Sequence, residues 1–122
     1  MNIRDEIKTL GLNSIGEVIP KPKAQKPFLI KGMGKRRGEE ALIYLIPSHT
    51  GRSPYQKGIT LSEFESAYSQ LKNSGELTRQ WFNLNLQKCA KEGACNFTTV
   101  GGIFELLKLA KYSGNGCYTS LS

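Results

Sequence analysis

Apolar residues recur along this chain in two rhythms. Near the start, Ile3, Ile7 and Leu10 fall at helical spacing and Gly11 supplies a stop, which predicts a short N-terminal helix. The stretch "GEVIPKPKAQKP" then carries Pro20, Pro22 and Pro27. Proline at that density excludes helix and favours extended backbone, so residues 16–27 read as a linker. "FLIKG" and "ALIYLIP" are rich in strand formers, with "MGKRRGE" between them. That is a hairpin pattern, with a loop longer than the tightest turns. In the second strand Ala41, Ile43 and Leu45 fall on one face and Leu42, Tyr44 and Ile46 on the other. A strand apolar on both faces lies inside a layered structure. Pro47, Gly51, Pro54 and Gly58 punctuate a long connection after it.

From residue 60 the helical rhythm returns. "TLSEF" is a capping box, with Thr60 as cap and Glu63 reaching back. Leu61, Phe64, Tyr68 and Leu71 form the stripe of an amphipathic helix that Gly75 closes. A second helix over residues 76–86 would carry Leu77, Trp81 and Leu84 on one side. Residues 87–97 read as a loop holding two cysteines, and a third helix is expected over residues 99–112. "GCYTSL" suits a short terminal strand. Strands first and helices later give an α+β domain: a β-hairpin or small antiparallel sheet packed on three C-terminal helices, with the short N-terminal helix. The expected organisation is one domain over residues 1–122, in which 1–27 are helix plus proline-rich linker and 28–122 the body.

Composition changes this picture little, but charge changes it. The 122 residues are 39% hydrophobic and 22% charged, ordinary for a globular chain large enough to bury one core. The longest apolar run, residues 41–46, is far too short to span a bilayer, which argues against a membrane partner. The opening "MNIRDEIKTLGLN" has acids and no apolar core of a secretory signal, so a cytoplasmic location is expected. The formal net charge is +7, and residues 28–59 contribute +4 of it. A basic surplus of this kind favours anionic partners, nucleic acid first. Cys89, Cys95 and Cys117 make an odd count, which argues for free thiols.

Five constellations carry candidate chemistry. Gly32, Gly34 and Gly38 are spaced one residue too long for a dinucleotide fingerprint and precede a strand, so a phosphate-cradling loop is disfavoured. As a hairpin tip, Lys35, Arg36 and Arg37, with Lys31 alongside, can neutralise nucleic-acid phosphates. The competing reading is an inert turn paired with Glu39 and Glu40. His49, Arg52, Tyr55 and Lys57 lie on one loop and offer the palette of a metal-free ribonuclease or toxin-like enzyme, although a solvated loop collects the same residues. The three cysteines with His49 do not have the spacing of a zinc site, and no cofactor is expected. Gly101 and Gly102 in a helix's first turns cost stability, and either close packing of another backbone or an anion on the bare amides would account for them; packing is the favoured reading. Residues 60–86 also have the outline of a helix–turn–helix, with Arg79 as a candidate base reader.

The words "KGMGKRRGEEALIYLIP", "GELTRQWF" and "CNFTTVGGIFELL" give the stretch Phe28 to Tyr118 a resemblance to small bacterial proteins carried on mobile integron gene cassettes. The resemblance implies a bacterial accessory protein and carries no catalytic residue. The leading expectation is a basic binding module that contacts nucleic acid through Lys31, Lys35, Arg36, Arg37, Arg52, Lys57 and Arg79. The alternatives are the ribonuclease on the 47–58 loop and a homo-oligomeric interaction module around Trp81 and Phe82.

Overall fold

A computed structural model describes residues 1–47 and 55–121. It is an α+β protein. Helix α1 (Ile3–Asn13) is capped by the Asn2 side chain, which accepts from the Asp5 amide at 3.3 Å. Gly11 does not stop it. The helix runs two residues further, and Gly11 is buried where a Cβ would come within 2.7 Å of Met33 Sδ. The bare backbone lets α1 lie close against the sheet beneath it.

The segment expected as a linker is part of the fold. Strand β1 (Val18–Ile19) pairs antiparallel with β2 (Phe28–Arg36), and Ile19 is fully inside the core. Residues 20–24 continue from it as a strap across the body. β2 pairs with β3 (Glu39–Ile46), and β3 with β4 (Tyr55–Thr60), completing an antiparallel sheet in the order β1-β2-β3-β4. The β2–β3 turn is tighter than the sequence suggests. Arg36 pairs with Glu39, leaving only Arg37 and Gly38 between, both with positive φ (51° and 76°). That is the backbone twist a two-residue hairpin requires. The central residues of β3, Ala41–Tyr44, are buried on both faces, as its double-sided apolar pattern requires.

Thr60 ends β4 and starts α2 (Leu61–Ser74) through the capping box: its hydroxyl accepts from the Glu63 amide at 3.1 Å while Glu63 accepts from the Thr60 amide at 2.9 Å. Gly75, at φ 84°, closes the helix. Residues 76–86 are not one helix. β5 (Glu76–Thr78) comes first and buries Leu77, and only then does α3 (Arg79–Asn85) begin on a Thr78 cap. A strand between the helices removes the helix–turn–helix. The expected loop at 87–97 contains α4 (Gln87–Glu92). The last helix, α5 (Asn96–Leu106), starts and ends earlier than its stripe predicts, and residues 110–112 belong to strand β6 (Ala110–Gly114). β6 and β7 (Cys117–Ser120) join β5 in a second antiparallel sheet, ordered β5-β7-β6. The helices following the hairpin thus number four among the described residues, where three were expected.

Between the sheets and helices lies one aromatic-rich core. Phe64, Phe82, Phe97, Phe104, Tyr44 and Tyr118 are all essentially inaccessible to solvent. Phe97 stands edge-on to both Phe82 and Tyr118, with ring centroids 5.6 and 5.5 Å away. The paired glycines of α5 serve packing. A Cβ on Gly101 would lie 2.1 Å from the Tyr118 ring, and one on Gly102 would lie 2.3 Å from the Pro20 carbonyl oxygen. The first contact seats β7 on the helix, and the second seats the strap.

The Gly102→Ala substitution tests that seating. Alanine gains about 1 kcal/mol of helix propensity, yet its methyl meets backbone rather than a movable side chain. A net loss of about 2 kcal/mol, read as a lower urea midpoint, is expected from overpacking; an unchanged or higher midpoint would show that the strap yields freely.

Candidate functional site

The cations singled out in the sequence divide into separate groups. Lys31 and Lys35 are exposed on β2. Arg36 is half-buried. Its stem lies over Gly58 and Ile43, where a Cβ on Gly58 would meet Arg36 Cγ at 2.7 Å, and its guanidinium donates to the Lys35 carbonyl at 2.8 Å. Arg37 turns back from the hairpin tip. One guanidinium nitrogen donates to Glu63 at 2.6 Å and the other to Glu92. Lys57 stands on β4, not on a loop, and donates to the Glu92 carbonyl oxygen. Arg37 and Lys57 therefore converge, but on the protein's own acceptors at α4. Tyr55 is exposed at the start of β4. His49 and Arg52 lie outside the described residues. Phe82 is buried and Trp81 is half-buried against the core, while Leu84 is exposed.

Arg79 belongs to a different place. As the first residue of α3 it is held by its amide, which donates to the Gly116 carbonyl at 2.9 Å. Its guanidinium donates to the Ala94 carbonyl at 3.0 Å and lies 4.8 Å from the centre of the Phe97 ring. It forms one wall of a cavity of about 390 Å³ between the strap, the start of α5 and the β6–β7 turn. Lys21 and Lys23 of the strap also line it, and Phe28, Phe97 and Tyr112 add aromatic surface. Cys95 and Thr98 contribute the end formed by α5.

Lys21 is the residue that defines this cavity. Its ammonium donates to the Cys95 carbonyl at 2.9 Å, to Thr98 Oγ1 at 2.9 Å and to Thr99 Oγ1 at 2.6 Å. The two threonine hydroxyls give their own hydrogens to the same Cys95 carbonyl, at 3.1 and 3.0 Å, so their lone pairs are free to receive the ammonium. The ammonium also sits 4.3 Å from the centre of the Phe28 ring and 5.8 Å from that of Tyr44. All three of its hydrogens are thus placed, yet its charge is not neutralised. Among the described residues lining the cavity there is no carboxylate. Burial lowers the Lys21 pKa to about 8, with Cys95 opposing the shift and Arg79 adding to it. The positive end of the α5 dipole acts in the same sense as Arg79.

Among the described residues, no three His, Cys, Asp or Glu side chains gather where a metal ion could be held. The cysteines are free thiols in three separate places: Cys89 buried on α4, Cys95 just before α5, Cys117 on β7. Comparison with protein-family models, with curated proteins and with solved structures finds no match.

Sequence reasoning reached Arg79 for another role and missed Lys21, which stands in a proline-rich stretch that resembles any solvated linker. The one available signal is that Pro20 and Pro22 flank it, restricting the backbone that presents it.

Lys21 gives the protein a pH dependence with a definite sign. Its folded pKa of about 8 lies below the ordinary value of 10.5, so between these the unfolded chain binds the extra proton. Stability from this group therefore rises as pH climbs through that window and is flat below it. Urea titrations of the wild type and of Lys21→Met at pH 7.5 and 9.5 should show the wild type gaining on the variant at the higher pH; a constant difference would contradict the assignment.

Proposed function

We propose that the protein is a binding module for a small organic anion, seated in the cavity between the strap and α5. One observation carries this reading: Lys21 and Arg79 wall a cavity whose described lining contains no acid. Two cations brought together without a counter-charge repel each other, and a bound anion relieves that repulsion.

The two cations contribute differently. Lys21, with its hydrogens already directed to Cys95, Thr98 and Thr99, supplies fixed charge. Arg79 uses one guanidinium nitrogen on Ala94 and keeps the rest of its planar fork for a phosphate or carboxylate. Phe28, Phe97 and Tyr112 favour a ligand whose acidic group is attached to a flat or apolar body, and the volume suits a small molecule. The three free thiols fit a reducing compartment such as the cytoplasm.

A second reading, contact with nucleic acid along β2, is favoured by Lys31 and Lys35, which are exposed and in no ion pair among the described residues. Binding there would weaken steeply with added salt and would not depend on Arg79.

Phenyl phosphate is the probe that tests the first reading. Titration calorimetry at pH 7 should detect binding that falls at least tenfold in Arg79→Ala, about the loss expected when a charge-assisted hydrogen-bonding partner is removed. Affinity should also fall as pH rises above about 8, where Lys21 loses its proton. Absence of binding at millimolar phenyl phosphate, or binding indifferent to Arg79, would overturn the reading.

A further inference from the structure

The protein's three thiols occupy three electrostatic settings. Cys89 is completely buried, and burial pushes its pKa well up. Cys117 lies beside an acid: its Sγ is 3.2 Å from the Glu76 carboxylate, and burial followed by that neighbour raises its pKa too, against an opposing hydrogen bond from Ser113. Cys95 is half-buried and lines the cavity that also holds Lys21 and Arg79. Its carbonyl, immediately before α5, receives the Lys21 ammonium. Its Sγ is 3.2 Å from the Tyr44 hydroxyl. Tyr44 gives its single hydrogen to Asn96 Oδ1, so Cys95 is the donor in that contact, which holds the sulfur in place.

Resting on the anion-binding reading of the cavity, we propose that Cys95 is a covalent modification site selective for small disulfides that carry carboxylates, the class to which oxidised glutathione belongs. The carboxylates are received by the field of Lys21 and Arg79. The step is thiol–disulfide exchange. The Cys95 thiol gives its proton to solvent, and the thiolate attacks one sulfur of the disulfide. A bond from Sγ to that sulfur forms as the original S–S bond breaks. The departing thiolate takes up a proton and leaves as a free thiol. Cys95 is oxidised to a mixed disulfide, half of the small disulfide is reduced, and no other oxidant is needed. Burial at Cys89, and burial together with the Glu76 carboxylate at Cys117, work against the attacking thiolate at those two sites.

The test uses the intact folded protein, with each cysteine followed by peptide mass spectrometry. Iodoacetate and iodoacetamide differ in charge and little in size, and oxidised glutathione follows as the disulfide itself. Cys95 is expected to react about tenfold faster than Cys89, which is completely buried, or Cys117, whose thiol faces the Glu76 carboxylate. Its preference for iodoacetate over iodoacetamide should exceed that of Cys117 about fivefold, from attraction of the anionic reagent. Oxidised glutathione should add to Cys95 alone, and saturating phenyl phosphate should protect it in the unaltered protein. If Cys95 reacts first but shows no charge preference, the selectivity and the anion-binding reading both fall. If phenyl phosphate binds yet Cys95 reacts no faster than Cys117, the thiol proposal falls and the binding reading stands.

Discussion

The strap and α5 touch backbone to backbone because Gly102 is bare, and Tyr118 of β7 reaches the same helix because Gly101 is bare. A side chain at Gly102 would stand within 2.3 Å of the Pro20 oxygen, and one at Gly101 would enter the Tyr118 ring. Much of what makes the molecule distinctive follows from these contacts. They fix the height of the strap above the helix, and so deliver Lys21 to the level of the first turn of α5. They also bring β7 against the same helix, which places the Tyr112 ring and the Gly116 carbonyl that anchors Arg79. A helix with ordinary residues at these positions would hold both neighbours farther out, and the cavity would lose two of its walls.

Within that frame the protein treats its cations in two ways. Arg37 is turned inward onto Glu63 and Glu92, and Lys57 is turned onto the end of α4. These contacts join the first sheet to the helical layer, and the charge of Arg37 is answered by two carboxylates. Lys21 and Arg79 are answered by carbonyls, hydroxyls and ring faces, which orient a cation without cancelling it. Net charge counts both kinds alike. The distinction arises only when strands and helices decide which acid each cation can reach.

The parts of this architecture legible in the sequence are those with local causes. The Thr60 and Glu63 capping box, the Gly75 stop and the two-sided burial of β3 all follow from residues within one turn or one strand. The packing role of Gly101 and Gly102 could be reasoned from the cost of glycine in a helix, though not which neighbours would fill the space. The elements misread are short ones where the helical and strand periods coincide. Leu77 and Trp81 satisfy a helical stripe, yet Leu77 is buried by pairing β5 with β7 from the far end of the sequence. Ala110 and Tyr112 are similarly drawn from a helix into β6 by Tyr118 and Ser120 across the ladder. Gly11 is a stop by type but a contact by position. The cavity was invisible for the same reason: Lys21 and Arg79 acquire a relation only through tertiary packing, and a lysine between prolines carries no local mark of burial.

The separation of these partners along the chain bears on when the cavity can exist. Lys21 meets Cys95, Thr98 and Thr99 across more than seventy positions, and Arg79 hangs from a carbonyl near the opposite end. Such long-range closures come late in folding, because the entropy of drawing distant segments together is spent before their contacts form. An emerging polypeptide can assemble the β2–β3 hairpin and α2 early, but its cavity is not walled until Tyr112 and Gly116 are in place. Ligand capture would then act as a latch on the finished fold, favouring only molecules in which the strap has already reached α5.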